Sequence, residues 1–298
     1  WATSPFMLLK APEEAEYLTL LGDAMRQLQP QTNAVFGGQY HIAGRDVTFE
    51  PATQADGLFA AKGEVITANW VEAEQLFGCL RQFNGDVSLQ PGLVHRANGG
   101  VLLISLRTLL AQPLLWMRLK TVVTQQRFDW VGFDESRPLP VSIPSMPLSL
   151  TVVLTGDRES LADFQEMELE LAEQAVYSEF EDNIQIADAD DMAQWCQWVM
   201  AVAERFALPS PAEDAWPGLI REAVRYTGDQ ETLPLCPLWI GKQLREVGVI
   251  SGNGTFNGEQ LSQMLAQREW REGYLADRMQ DEILLEQILV ETEGERIG

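Results

Sequence analysis

Apolar residues form short continuous runs in the first part of the chain. Phe6–Leu9, Val101–Ile104 and Leu150–Leu154 are runs of this kind, each followed by a turn or by residues at helical spacing. Such runs are typical of strands buried on both faces of a parallel sheet. After the first run, the residues at helical spacing are Leu18, Leu21, Met25 and Leu28. The pattern predicts strand, loop and helix at the start of an α/β fold with a parallel sheet.

The segments between these runs have mixed patterns. Residues 33–69 alternate short apolar pieces with glycine and proline, which predicts strands and loops without a long helix. Residues 71–83 predict a helix, followed by a turn at Asn84-Gly85-Asp86. Residues 106–123 predict a helix interrupted at a proline, and residues 128–133 alternate like a strand. An extended segment is predicted around Pro138, Pro140, Pro144 and Pro147.

Helical spacing dominates beyond residue 188. A first helical face is formed by Met192, Trp195, Cys196, Val199, Ala203 and Phe206. After the break at two prolines, further helices are predicted around Ile220, Ala223 and Tyr226, over residues 238–247, and over most of residues 256–290. We therefore predict an α/β subdomain over residues 1–188, an all-α subdomain over 189–290, and the start of a linker at 291–298.

Charge and composition narrow the class of protein. The 298 residues include 21 basic and 44 acidic side chains, for a net charge of −23, which disfavours a nucleic acid partner. No stretch reaches the roughly 18 consecutive apolar residues of a membrane span, and no signal peptide pattern is present, so we expect a cytoplasmic protein without a membrane partner. Trp1 and Gly298 both look like cut ends, so we expect a longer parent protein.

Cysteine usage argues against a metal or disulfide framework. Cys79, Cys196 and Cys236 are odd in number and widely spaced, and the chain has two histidines. We therefore expect reduced thiols that pack as small apolar groups, and no metal site.

The stretch from His95 to Lys120 reads HRANGGVLLISLRTLLAQPLLWMRLK. It resembles the second nucleotide-binding motif region of Lon-like proteases, and the resemblance implies an AAA+-like (P-loop NTPase-like) large subdomain followed by a helical lid. In an AAA+ ATPase the apolar strand ends in Asp-Glu, which hold magnesium and activate water. In this chain the same two positions are Ser105 and Leu106.

The first nucleotide-binding motif is altered as well. A working P-loop needs glycines that let backbone N–H groups close around phosphates, a lysine, and a Ser or Thr for magnesium. The matching positions of this chain include Tyr17 in place of the lysine and Leu18 in place of the hydroxyl residue, and the preceding loop is Ala11, Pro12, Glu13 and Glu14. These carboxylates, with Glu16, would repel a triphosphate. We expect no nucleotide cofactor and no ATPase activity; the simpler alternative is a strand-to-helix connection with acids placed favourably at a helix start.

Two further positions resemble nucleotide sensors of the same family. Asp157 lies in Val-Val-Leu-Thr-Gly-Asp-Arg, and Arg225 lies in Ala-Val-Arg-Tyr-Thr-Gly-Asp. The resemblance places Asp157 at a γ-phosphate sensor and Arg225 at the lid arginine. We interpret both as signs of common descent and not of activity.

Phe83-Asn84-Gly85 resembles the aromatic-x-Gly loop with which AAA+ unfoldases grip substrate. The resemblance makes Phe83 and Gly85 candidates for a substrate pore loop. The alternative is a plain turn after a helix, with Phe83 packed in the core.

The resemblance extends to residues 287–294, which in Lon-like proteins lead into a peptidase domain with a Ser-Lys dyad. It implies a substrate-gating and assembly module that forms a homo-oligomeric ring, hexameric in the full-length protein, and takes protein substrates. The altered motifs add the expectation that this module works without nucleotide. No catalytic residue can be carried over to this chain, which we do not expect to hydrolyse peptides. Two alternatives remain. One is a non-proteolytic adaptor or scaffold. The other is an ATPase with a displaced site, and the support for it is weak because neither the magnesium-binding acid nor the phosphate-binding lysine is replaced by a residue nearby.

Overall fold

The computed structural model describes residues 4–29, 32–132, 138–252 and 254–285. It divides the chain into one unit that ends at Phe180 and another that begins at Glu181, a few residues before the boundary predicted at 188. The predicted linker at 291–298 lies outside the described residues.

The first unit alternates strands and helices. Its elements are β1 (Phe6–Lys10), α1 (Ala15–Leu28), β2 (Phe36–Ala43), β3 (Asp46–Pro51), β4 (Phe59–Ala61), β5 (Val65–Ala68), α2 (Ala73–Phe77), β6 (Cys79–Phe83), β7 (Asp86–Gln90), α3 (Leu93–Arg96), β8 (Val101–Ser105), α4 (Leu106–Ala111), α5 (Pro113–Gln125), β9 (Arg127–Phe128), β10 (Met146–Pro147), β11 (Thr151–Gly156), α6 (Arg158–Met167), α7 (Leu169–Gln174) and β12 (Val176–Glu179).

Five parallel strands form the main sheet in the order β12-β1-β11-β8-β5. The register aligns Phe6 with Val152 and Thr151 with Val101, so the strands end together at one edge. Successive residues point to opposite faces of the sheet and into two separate apolar clusters, as Leu8 and Leu9 do. Both faces are covered, and this is why the predicted strands read as continuous apolar runs.

Helices cover the two faces of this sheet. Leu18 and Met25 of α1 pack in the smaller cluster, with Leu103 of β8. The larger cluster lies on the opposite face and includes Trp116 of α5 and Phe164 of α6, whose rings are 5.1 Å apart. The strand and helix predicted at the start of the chain are confirmed, as is the helix broken at Pro113.

A smaller antiparallel sheet and a hairpin lie between the strands of the main sheet in sequence. Strand β2 pairs with β3 and β4, and β6 pairs with β7. The strands and loops predicted over residues 33–69 are thereby confirmed.

The predicted helix over residues 71–83 is wrong beyond Phe77. Helix α2 ends at Phe77, and the residue that follows it, Gly78, has a φ of 74°, a conformation that suits glycine. A Cβ at Gly78 would also lie 2.1 Å from the Gln90 carbonyl oxygen, so this position needs glycine on both grounds. The chain continues as strand β6, which helical periodicity did not reveal.

The second unit is largely helical. Its elements are β13 (Asn183–Gln185), α8 (Ala189–Arg205), β14 (Ser210–Pro211), a 3-10 turn (Glu213–Ala215), α9 (Trp216–Thr227), β15 (Thr232–Pro234), α10 (Pro237–Ser251), β16 (Thr255–Phe256), α11 (Gly258–Glu272) and α12 (Tyr274–Leu284).

Three details of the prediction need correction. The second unit is not purely α-helical, because β13 pairs with β15 and β14 with β16. The long C-terminal helix is divided at Gly273, and its predicted end at Val290 lies outside the described residues. The strand predicted over residues 128–133 ends at Phe128, and Phe133 also lies outside the described residues. No helix in the described part of the chain is both long and apolar enough to span a membrane.

Candidate functional site

The predicted nucleotide-site residues of the first unit lie at the carboxyl edge of the main sheet. Ala11 follows β1, Ser105 ends β8, and Asp157 follows β11. Because β11 lies between β1 and β8, a side chain from the loop after β1 must cross the end of β11 to reach Ser105. Ligands of open parallel sheets bind at this edge.

The loop from Ala11 to Glu14 is tied to the sheet. The Ala11 N–H donates to the Gly156 carbonyl oxygen over 3.1 Å, and Ala11 is buried. Pro12 has no N–H group. Glu14 is the exposed N-cap residue of α1, and its side chain makes no capping hydrogen bond. Two of the four loop positions therefore cannot donate a backbone hydrogen bond to a phosphate.

Glu13 joins this loop to the end of β8. Its Oε1 accepts a hydrogen bond from Ser105 Oγ and another, of 3.1 Å, from the Arg107 N–H. Arg107 lies in the first turn of α4, where a carboxylate is favoured by the exposed N–H groups of the helix start. We expected Glu13 only to repel phosphate; its bond to Ser105 was not predicted.

Tyr17 and Leu18, at the lysine and hydroxyl positions, both point into protein packing. Tyr17 is 5% exposed, and its ring meets the Phe180 ring edge-on at 5.9 Å. Leu18 is 2% exposed and belongs to the cluster beneath α1. Leu106 is fully buried in the cluster on the other face. These side chains contribute to the core of the unit.

Two cationic side chains at this edge, Lys10 and Arg158, are engaged with the protein. Lys10 Nζ donates to the Phe180 carbonyl oxygen over 3.2 Å. Arg158 Nε donates to Glu179 Oε1 over 2.9 Å, and the Tyr177 hydroxyl donates to the same oxygen over 2.8 Å. The bonds from Arg158, followed by that from Tyr177, lower the pKa of Glu179 to about 2. The ionised Glu179 carboxylate therefore neutralises the charge of the Arg158 guanidinium at this edge.

The two predicted sensor positions have local roles. Asp157 caps α6 by accepting bonds from the Ser160 N–H (2.8 Å) and Ser160 Oγ (2.7 Å). The bond from the Ser160 N–H is the main cause of a lowered pKa at Asp157. Arg225 lies on α9 of the second unit, where its largely exposed side chain forms a 2.7 Å ion pair with Glu222.

Phe83 and Gly85 lie at the tip of the hairpin formed by β6 and β7. Asn84 and Gly85 have φ values of 49° and 89°, which are the positive angles of a two-residue hairpin turn. Phe83 is 78% exposed, so the alternative that placed it in the core is wrong. The Asn-Gly pair was the sequence signal for this hairpin, and the predicted turn is confirmed.

The foot of the same hairpin is fixed by His95. The Gly92 N–H donates to His95 Nδ1 over 3.0 Å, and the imidazole is 1% exposed. Its ring lies 4.2 Å from Phe128 and stacks on Trp130 at 5.6 Å. Burial, together with the charge of Arg118, lowers the pKa of His95 to about 3. The imidazole is therefore neutral at physiological pH; this role of His95 was not predicted.

The three cysteines form no disulfide in the described residues. Cys79 is buried, Cys196 and Cys236 are half-buried, and all three are free thiols. Burial raises the pKa of Cys196. Within the described ranges, no group of three or more His, Cys, Asp or Glu side chains is arranged to hold a metal ion.

The parallel sheet and the loop-to-helix connection after its first strand define an AAA-like α/β domain. Residues 62–180 match the family model described as "LonB-like, AAA domain". The chain is 66% identical over its whole length to the "Putative Lon protease homolog" of Escherichia coli (strain K12), covering 51% of that protein. It is 33% identical, over 99% of its length, to the protein of the same name from Haemophilus influenzae, covering 50% of that protein.

The chain is thus similar over its whole length to proteins described as Lon protease homologues, and its residues 62–180 match a LonB-like AAA domain. The predicted fold class, a parallel α/β sheet followed by a helical part, is confirmed. It spans about half the length of the curated relatives it matches. Among solved structures, the crystal structure of NtrX from Brucella abortus in complex with ATP matches 94% of this chain and 57% of that chain, at 12% identity and a TM-score of 0.42. A likeness this distant supports no statement about ligands.

Proposed function

We propose that this chain is the substrate-handling module of a Lon-type protease and that it works without nucleotide. The support for the protease context is the relationship to Lon protease homologues over the whole chain. Peptide hydrolysis, by the Ser-Lys chemistry of the family, would belong to other parts of a longer protein.

Phe83 is the observation that carries the substrate-handling role. Its ring is 78% exposed at the tip of a two-stranded hairpin, where it adds nothing to the core. An exposed aromatic ring can cover apolar side chains of an unfolded polypeptide at little cost in side-chain entropy. The Asn84-Gly85 turn keeps the tip narrow, so that the ring can enter between the segments of a bound chain.

Nucleotide independence is supported by the contents of the loop after β1. Glu13 occupies the donors of Ser105 and Arg107, and Tyr17 lies buried at the lysine position. A triphosphate would have to displace the carboxylate of Glu13 and approach that of Glu14, with no lysine at position 17 to offset the repulsion.

Titration calorimetry tests the nucleotide half of this proposal. ATP or ADP with magnesium, added to the 298-residue chain, is expected to give no binding heat at micromolar concentrations. A dissociation constant in the micromolar range would contradict it.

Binding of an unfolded polypeptide tests the substrate half. Fluorescence anisotropy with a labelled, permanently unfolded polypeptide is expected to show a several-fold weaker interaction for Phe83→Ala and near-normal binding for Phe83→Tyr. Equal affinities of the wild type and Phe83→Ala for the polypeptide would show that Phe83 does not contribute to substrate binding.

Assembly into a homo-oligomeric ring, hexameric in the longer protein, is the remaining part of the proposal. It is supported by the AAA domain match, since rings are the usual arrangement of such modules. Sedimentation velocity of the chain gives its mass in solution, and a monomer at all concentrations would show that the described units do not form the ring by themselves.

A non-proteolytic adaptor is the second candidate, and one surface favours it. Leu114 and Met117 of α5 are 81% and 62% exposed, and with Val131 they border a groove of about 350 Å³. An exposed apolar groove of this kind is a common protein-binding feature. Loss of polypeptide binding in Leu114→Asp, with normal binding in Phe83→Ala, would favour the adaptor.

A further inference from the structure

Glu13 connects two segments that are distant in the sequence. The loop that contains it follows β1, whereas its donors, Ser105 Oγ and the Arg107 N–H, belong to the end of β8 and the start of α4. Ser105 is completely buried, so the bond between these groups is shielded from water on the Ser105 side. Bonds to an ionised acceptor are roughly twice as strong as those between neutral groups.

In a working P-loop protein, the phosphates and their magnesium ion join the same two segments. The loop after the first strand holds the phosphates, and an acid from a neighbouring strand holds the magnesium ion. We propose that the Glu13 carboxylate is an internal substitute for that bound phosphate, which keeps the loop after β1 and the end of β8 in one closed state. The inference rests on the proposed nucleotide independence and names the residue that replaces the nucleotide.

Ser105 and Glu13 are chemically matched. A hydroxyl at position 105 donates to the carboxylate, whereas an acid at that position would face another acid and repel it. The serine in place of an acid is therefore a requirement of the Glu13 bond and not merely a lost magnesium ligand.

The rest of the loop is held in the same state. Ala11 is fixed to Gly156 by its N–H bond, and the ring of Tyr17, on helix α1 after the loop, packs against Phe180. With Glu13 attached to β8, the loop is fixed to β11, to β8 and to the last residue of the first unit. We expect this segment to show one conformation with or without nucleotide in solution.

Thermal unfolding and amide hydrogen exchange of four variants of the 298-residue chain test this role. Glu13→Ala should lower the melting temperature of the first unit by about 4–8 °C, because two bonds to a charged acceptor are lost. Amide exchange at Ala11 and Arg107 should become about tenfold faster. Ser105→Ala, which removes one of the two bonds, should have roughly half the effect on melting. Glu13→Gln keeps an oxygen acceptor and should fall between the wild type and Glu13→Ala.

Glu14→Ala is the matched control, since Glu14 is the neighbouring acid and makes no side-chain cap bond. It should melt within about 1–2 °C of the wild type. Equal effects of Glu13→Ala and Glu14→Ala, or a Glu13→Gln variant as unstable as Glu13→Ala, would overturn the proposal. If Glu13→Ala does not fold, Ser105→Ala compared with the exposed Ser88→Ala decides the question by the same readouts.

The proposed function and the role of Glu13 can be contradicted independently of each other. Micromolar nucleotide binding by the wild type contradicts the proposed function, whatever the melting temperatures of the variants. Unchanged stability in Glu13→Ala, with no nucleotide bound by the wild type, contradicts only the role of Glu13.

Discussion

The loop after β1 and the turn between β6 and β7 are both short connections in the same unit, but they differ in how they are held. The first is held at three points: Ala11 is bonded to β11, Glu13 is bonded to the end of β8, and Tyr17, just after the loop, packs against Phe180. The second lies at the tip of a hairpin whose foot is held by Gly92 and His95, and it presents Phe83 to solvent. A connection that uses its polar groups internally stabilises the fold, whereas one that leaves an apolar ring exposed is available for contact with another molecule.

The largest expected effect comes from placing an acid at the end of β8. Ser105→Asp would bring a buried carboxylate against Glu13, and we expect it to lower the free energy of unfolding by about 3–5 kcal/mol at pH 7.5. Urea unfolding measures this loss, and adding Glu13→Gln should recover part of it. Ser88→Asp, on the exposed side of the hairpin, is the control and should be nearly neutral; a similar loss there would mean that added charge alone is responsible.

The second largest effect is expected from acid, which should reduce the stability contributed by His95 at the foot of the hairpin. His95 has a pKa of about 3 when folded and an ordinary value near 6.5 when unfolded, so the unfolded chain alone binds a proton between these pH values. Stability from this group is complete above about pH 6.5 and should fall by up to about 1.4 kcal/mol per pH unit as pH drops toward 3.

The pH dependence of the free energy of unfolding, compared between the wild type and His95→Gln, isolates this contribution from that of the carboxylates. The exposed His41 provides the control variant, His41→Gln. Parallel curves for the wild type and His95→Gln would show that His95 is not a buried neutral group.

A smaller effect is expected at the tip of the hairpin. Gly85→Ala would force a Cβ into a backbone with φ of 89°, although no atom lies within 4 Å of that Cβ, so only backbone strain applies. The cost should be about 1–2 kcal/mol by thermal unfolding. Asn84→Gly, which relieves rather than adds strain, should be neutral or slightly stabilising; a neutral Gly85→Ala would mean that the turn adopts another form.

The smallest effect on stability is expected for Phe83→Ala. Because the ring is largely exposed, the free energy of unfolding should change by about 0.5 kcal/mol or less. Phe77→Ala, a few residues earlier and 1% exposed, should cost about 3–5 kcal/mol under the same conditions. A large loss in Phe83→Ala would indicate that its ring packs in solution and would weaken its proposed substrate role.

The three inner strands of the main sheet, β1, β11 and β8, were predictable because they are buried on both faces. Phe6–Leu9, Val101–Ile104 and Leu150–Leu154 are continuous apolar runs for this reason, and each contributes to a strand of the structure. Strand β6 was missed because its residues read equally well as the end of a helix, and only the backbone of Gly78 separates the two. The division of the last helices at Gly273 was missed too, and there the glycine keeps right-handed helical angles, with φ of −71°.

The candidate site was predictable in its positions but not in its contacts. Ser105 and Glu13 were singled out because each departs from a nucleotide-binding pattern. Their hydrogen bond joins strands that are not neighbours in the sheet, so it depends on the fold and not on local sequence. Likewise, the His95 motif was visible, but its bond to Gly92 needed the three-dimensional arrangement.

The packing of Tyr17 and the Glu13 bond also determine which single substitutions the first unit can tolerate. A lysine at that position would bury a cation beside the Phe180 ring, and an acid at position 105 would oppose Glu13. Each of these substitutions, made alone, is expected to destabilise the first unit. A nucleotide site at this edge would therefore require changes at both positions together, and not at either one alone.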